Sequence, residues 1–84
     1  MTSDEIEQFL TRQKINESQQ VKIIFKKRDA MNGTFIKGTD YAELKRKNFW
    51  RIVTAGRHEE WVTSKSNSSA RLFNGEEFSR LTLK

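Results

Sequence analysis

The chain has 84 residues, no Cys, no Pro and a formal net charge of +5. That length makes one domain, residues 1–84, near the lower limit of what folds alone. The lack of Cys excludes disulfides and thiolate zinc sites, so stability must come from a tight core or from self-association. The charge is uneven: residues 1–20 sum to −2, residues 21–57 to +7 and residues 58–84 to zero. A positive middle favours anionic partners, nucleic acid first, against the plain alternative of a solvated face that keeps the chain soluble.

The start reads as a helix within residues 1–16. Thr2 and Glu5 have capping-box spacing, and Ile6, Phe9 and Leu10 form one narrow apolar stripe. The stripe predicts a helix lying on the rest of the domain. The Asn16-Glu17-Ser18 segment breaks the pattern. The acidic Met1-Thr2-Ser3-Asp4-Glu5 start lacks the form of a secretory signal, and the longest apolar run, Ile23-Ile24-Phe25, is far too short for a membrane span. These features and the lack of Cys give the expectation of a cytoplasmic protein with no membrane partner.

From Val21 the period becomes two. Val21, Ile23 and Phe25 alternate with neighbours that include Lys22 and Lys26, which predicts a strand closed by Lys27-Arg28-Asp29. Met31 to Lys37 reads as a second strand, with Gly33 marking a bend, a bulge or a close backbone approach. Gly38-Thr39-Asp40 is turn chemistry, and Tyr41 to Asn48 is ambiguous. Asn48 to Thr54 is the strongest strand. Its alternation sets Phe49, Arg51 and Val53 on one side and Trp50, Ile52 and Thr54 on the other, so both sides are expected to be covered. A polar connection, residues 55–69, follows. His58 to Ser64 is able to form a helical turn around Trp61, and Ser66-Asn67-Ser68-Ser69 is loop-like. Ala70 to Phe73 and Phe78 to Leu83 are the last two strands, with Asn74-Gly75 between them as a tight turn. The fold class is therefore mainly β: an N-terminal α-helix, then five short strands over residues 20–84 in a small barrel.

The segment Ala70-Arg71-Leu72-Phe73-Asn74-Gly75-Glu76-Glu77-Phe78-Ser79-Arg80-Leu81 is similar to the second signature of Sm-like proteins. In that signature an apolar strand runs into Arg-Gly, and apolar residues follow at the third and sixth places after the Gly. Gly75, Phe78 and Leu81 keep this spacing. Gly33, Phe35 or Ile36, and Asp40 resemble the first signature more loosely. The resemblance spans nearly the whole chain. It implies an N-terminal helix, five strongly bent strands, and a variable loop at residues 55–69. Two departures bear on function. Asn74 stands where uridine-binding members carry the Arg, and Leu44, not Asn, stands at the place aligned from Asp40. The interval from Gly33 to Asp40 is also one residue longer than the usual pattern. The resemblance thus implies the fold without the familiar base pocket.

No catalytic constellation emerges. His58 is the one His and sits in a polar connection beside Glu59 and Glu60, so it reads as a surface residue, neither base nor metal ligand. Glu59-Glu60 and Glu76-Glu77 read as solvated pairs, and there is no phosphate-cradling glycine loop. Neither a cofactor, a metal nor a small-molecule substrate is expected, and the chain is not read as an enzyme. The functional expectation is weak binding of RNA or single-stranded nucleic acid through Lys26, Lys27, Arg28, Lys45, Arg46, Lys47, Arg51 and Asn74. Basic side chains would position phosphates, with stacking from Trp50 or Trp61 if exposed. The alternative is a homo-oligomeric protein–protein or assembly module, paired through the last two strands and without nucleic-acid binding.

Overall fold

The computed structural model describes residues 1–16, 19–64 and 69–83. The helix α1 spans Ser3–Arg12. The strands β1, Val21–Phe25, and β2, Met31–Phe35, follow it. Next come a short helix α2, Tyr41–Arg46, and the strand β3, Phe49–Thr54. A 3₁₀ turn at Ala55–Arg57 leads into helix α3, His58–Ser64. The chain ends with β4, Arg71–Asn74, a 3₁₀ turn at Gly75–Glu77, and β5, Phe78–Leu83. All strand pairs are antiparallel, in the order β4-β3-β2-β1-β5. A helix followed by a five-stranded bent small-barrel sheet is thus the architecture. The sheet is not closed, since β4 pairs with β3 and β5 pairs with β1. Helices and 3₁₀ turns together hold more residues than the strands, but the sheet is the frame on which they lie.

One expectation is corrected by this topology, and one open segment is resolved. Asn74-Gly75 does not make a hairpin, because β4 and β5 lie at opposite ends of the sheet. The turn carries the chain from one edge to the other, with the Asn74 side chain accepting from Glu76 N at 2.9 Å. The ambiguous segment 41–48 forms α2, which ends where Asn48 turns left-handed at φ 62°, a conformation that Asn tolerates well. The His58–Ser64 turn forms around Trp61 as expected. The loop expected at Ser66-Asn67-Ser68 lies outside the described residues.

The core fills the inside of the bent sheet. Val21, Ile23 and Phe25 from β1, Phe35 from β2, Trp50 and Ile52 from β3, and Phe73 from β4 all point inward. Strict alternation would put Phe78 and Leu81 of β5 on opposite faces, yet both are buried. The register explains this. Ile24 pairs with Arg80 and Phe25 with Phe78, so Ser79 is an extra residue, a bulge that returns Phe78 to the inside and bends the strand. Gly33 lies buried under β3: a Cβ there would stand 2.6 Å from Ile52 Cγ2, which is the close approach its place in the strand suggested.

Helix α1 covers one end. Its capping box forms as the spacing required, with Glu5 N donating to Thr2 Oγ1 (3.2 Å) and Thr2 N to Glu5 Oε1 (2.8 Å). At the other end Lys14 turns left-handed and Ile15 N donates to Leu10 O at 2.9 Å, closing the helix and tucking Ile15 against the core. Ile6 and Leu10 are buried and Phe9 is half-buried. Glu7 latches the helix to α2: it accepts from Tyr41 Oη at 2.6 Å and from Lys45 Nζ at 3.1 Å. The Tyr41 hydrogen bond, with Lys45 adding to it, holds the Glu7 carboxyl below its usual range. Burial, reinforced by Glu7, pushes the Tyr41 phenol well above its own.

Ile6→Ala should lower stability by roughly 2–5 kcal/mol, the cost of truncating a fully enclosed aliphatic side chain. Phe9→Ala should cost less, because its ring is already partly in water. Denaturant titrations of both variants check the ranking, and a larger loss for Phe9→Ala would mean that α1 sits differently.

The Glu7 latch has a pH signature. Its folded carboxyl is shifted down, so its contribution is complete above the ordinary value of 4.5 and is lost as pH falls through the lowered folded value. Glu7→Gln should therefore melt below the wild type at neutral pH, with the gap closing as the solution is acidified below that value.

Candidate nucleic-acid interface

The β1–β5 ladder, which pairs Phe25 with Phe78, sets the β1–β2 corner beside the β4–β5 turn. Lys26 N donates to Glu77 O at 3.0 Å and ties the two together. Between them is a cavity of about 450 Å³, walled by Lys26, Lys27 and Arg28 on one side and by Asn74, Glu76 and Glu77 on the other, over Phe25. The Arg28 guanidinium lies 4.7 Å above the centre of the Phe25 ring. A planar cation in that position is held by the ring quadrupole and keeps its edges for a ligand. None of the three cations forms an ion pair among the described residues. A shallower hollow adjoins the first and shares Lys26 and Glu76 with it. Asn48 and the first turn of α1 line its far side.

The other expected residues are disposed differently. Lys45 is engaged by Glu7. Lys47 stands 4.0 Å from Glu43 at the surface, a weak pair, and Arg46 is exposed. Arg51 makes a two-pronged ion pair with Asp40, at 2.5 and 3.0 Å. That bond holds the Asp40 carboxyl below its usual range and the guanidinium above its own. Of the eight residues singled out, the structure gathers Lys26, Lys27, Arg28 and Asn74 around one cavity and commits Lys45 and Arg51 to carboxylates.

The stacking residues also change. Trp50 and Trp61 are 2% and 3% exposed, so neither offers a free face. Trp50 Nε1 is taken by Asn48 Oδ1 at 2.8 Å. Trp61 packs on Val53 and Ile36 outside the sheet, where α3 covers it. The exposed aromatic is Phe49, at 37%. The outer side of β3 is thus covered at Val53 and open at Phe49 within the single chain. Phe49 pairs across the ladder with Asn74, and Leu72, also exposed, lies diagonally beside it on the same face. The signal for Phe49 was present in the alternation of β3: with Trp50 inside, Phe49 had to face out.

The place aligned from Asp40 is occupied by α2, and the asparagine that reaches the Asn74-Gly75 turn is Asn48, whose carbonyl accepts from Gly75 N at 2.8 Å. Its amide donates to the Met1 carbonyl at 3.0 Å. A Cβ on Gly75 would collide with Asn48 Oδ1 and with Ile6 Cδ1, so a larger residue there would require both side chains to shift. His58 departs from a simple surface position: it is half-buried, with Nδ1 3.4 Å from the hydroxyl of buried Thr34. No grouping of three or more metal-ligating side chains occurs among the described residues, and no helix among them is long and apolar enough to cross a membrane. No family model, no curated protein and no solved structure matches the chain.

Proposed function

We propose that the chain is an Sm-like small-barrel domain that binds RNA or single-stranded nucleic acid weakly, through phosphate contacts at the β1–β2 corner. The observation that carries the reading is the cavity where Lys26, Lys27 and Arg28 converge with Asn74 without carboxylate partners in ion pairs. Phosphate contacts from such a cluster position a strand without reading its sequence. Phe49, opposite Asn74 and two residues from Lys47, supplies one stacking face at the edge of the same region. The setting we propose is cytoplasmic, in keeping with a chain that has no Cys.

A second reading, assembly of several copies, is favoured by a separate observation. The outer edges of β4 and β5 have no partner strand among the described residues, and Leu72 and Leu83 on those strands are exposed. Edges of this kind invite pairing with another copy, and head-to-tail pairing that closes gives a ring. Sedimentation equilibrium should show multiples of the 9.9 kDa chain as concentration rises. A single 9.9 kDa species at high concentration would remove the assembly reading and leave nucleic-acid binding untouched.

Titration with a labelled RNA oligonucleotide at increasing salt tests the first reading. Affinity should fall steeply with salt, and Lys27→Ala should weaken binding and lower the logarithmic salt slope by about one. Phe49→Ala should weaken binding while leaving the slope unchanged, because stacking releases no counterions. Tryptophan fluorescence should stay nearly constant on binding, since both indoles are enclosed. No binding at low salt would dismiss the nucleic-acid reading.

A further inference from the structure

We infer that the cavity between the β1–β2 corner and the β4–β5 turn discriminates among nucleobases, accepting those with amino groups, guanine foremost, over uracil. This inference rests on the nucleic-acid reading and adds base selectivity to it. A site meant only for phosphate would have no reason to include carboxylates, yet Glu76 and Glu77 form part of the wall opposite Lys26, Lys27 and Arg28. Both glutamates are exposed, and neither carboxylate takes part in an ion pair among the described residues. Their backbone is fixed: Glu76 N donates to Asn74 Oδ1 at 2.9 Å, and Glu77 O accepts from Lys26 N at 3.0 Å. The cavity therefore presents acceptor-only groups on a pinned turn, facing donor-only groups on a corner. Its volume of about 450 Å³ falls in the range of small-ligand pockets, roughly 300–1,000 Å³.

A ligand that uses both walls must carry an anion and hydrogen-bond donors a short distance apart. A nucleotide with an amino-bearing base has this form. Its phosphate meets the cations, and its base edge donates to a carboxylate, as cytosine N4 does to Glu in direct readout. Guanine is the better match, because its N1–H and N2–H₂ are parallel donors that one carboxylate accepts together, as it accepts the fork of an arginine. Uracil offers a single donor, N3–H, flanked by two carbonyl oxygens that the carboxylates repel, and so binds less well. The Asn74 amide, with its oxygen already held by Glu76 N, is left as a donor for a base or ribose oxygen.

The test uses the full chain and eight-nucleotide RNAs that are uridine throughout except at one central position, read by fluorescence anisotropy at low salt. Central guanosine should bind about five-fold or more tighter than central uridine, the lower end of what a good bidentate pair contributes, and central cytidine, with its single N4 donor, should fall between them. The double variant Glu76→Gln, Glu77→Gln should bind every RNA somewhat better, through lost repulsion, while the guanosine-to-uridine ratio falls to within about two-fold. Lys27→Ala should weaken all four RNAs and keep the ratio. Thermal melts by circular dichroism confirm that the variants fold, which is expected because the substituted side chains are exposed. Equal binding of all four central bases overturns the inference and leaves the nucleic-acid reading standing. A ratio that survives the double glutamate change also overturns it, since the carboxylates would not be the readers. No binding of any RNA removes the nucleic-acid reading and this inference with it.

Discussion

The structure depends on the three-residue connection between its two outermost strands. The sheet runs β4-β3-β2-β1-β5, so a flat sheet would set β4 and β5 four spacings apart, about 19 Å. The chain from Asn74 to Phe78 spans at most roughly 14 Å fully extended, and as a 3₁₀ turn it spans only about 8 Å. The sheet must therefore curl until its edges approach. Aromatic rings record the curl directly. Phe25 of β1 lies 6.2 Å from Phe73 of β4, although β2 and β3 separate these strands along the ladder, and 5.5 Å from Phe78 of β5. The edge-on contact with Phe78 is a favoured aromatic geometry, so the closure is also a packing gain.

From the curl follow the other features of the core. Its inside is narrow, and large side chains fill it: Trp50 sits among Phe35 and Tyr41, each ring 6.0 Å away and tilted steeply to it. The bulge at Ser79 adds bend where β5 must follow β1 around the corner. Where the turn meets β3, space runs out, and Gly75 lies against Asn48 and Ile6 with no room for a Cβ. Helix α1 then stops the end through Ile6 and Leu10. Outside the sheet, α3 covers Val53 with Trp61, so a small second core forms on the convex face. Phe49 and Leu72 lie beyond its cover.

Much of this was legible where local physics decides. The Thr2–Glu5 cap, the alternation of Val21, Ile23 and Phe25, and the turn around Trp61 depend on near neighbours, and each appears as its sequence implied. What was not legible depended on distant pairings. Asn74-Gly75 resembles a hairpin turn, and nothing local says that the strands on either side go to opposite edges. The part Asn48 plays in holding Gly75 was hidden because that contact joins residues far apart in the chain. Lys26-Lys27-Arg28 and Lys45-Arg46-Lys47 look equivalent as strings. They differ because Glu7, 38 residues before Lys45, returns on α1 to neutralise one of them. Phe49 and Trp50 offered an apolar residue to each face, and the reach of α3, which covers Val53 but not Phe49, decides which part of the outer face stays open.

The same constraint turns a diffuse charge into a local one. A net charge of +5 says little about where an anion would settle, because exposed charges more than about 8–10 Å apart are largely screened at physiological salt. Arg51 and Lys45 lie in the positive middle of the chain, yet Asp40 and Glu7 offset them where they stand. Lys26, Lys27 and Arg28 form no ion pair among the described residues. Glu76 and Glu77 reach that corner because Phe78, the next residue, pairs with Phe25 in the β1–β5 ladder, which the bond from Lys26 N to Glu77 O extends. Breaking the β1–β5 ladder would separate the two walls and leave the basic corner without Glu76 and Glu77 facing it. The strand order that builds the core therefore also sets donors against acceptors, and the chemical character of the cavity is a consequence of topology as much as of composition.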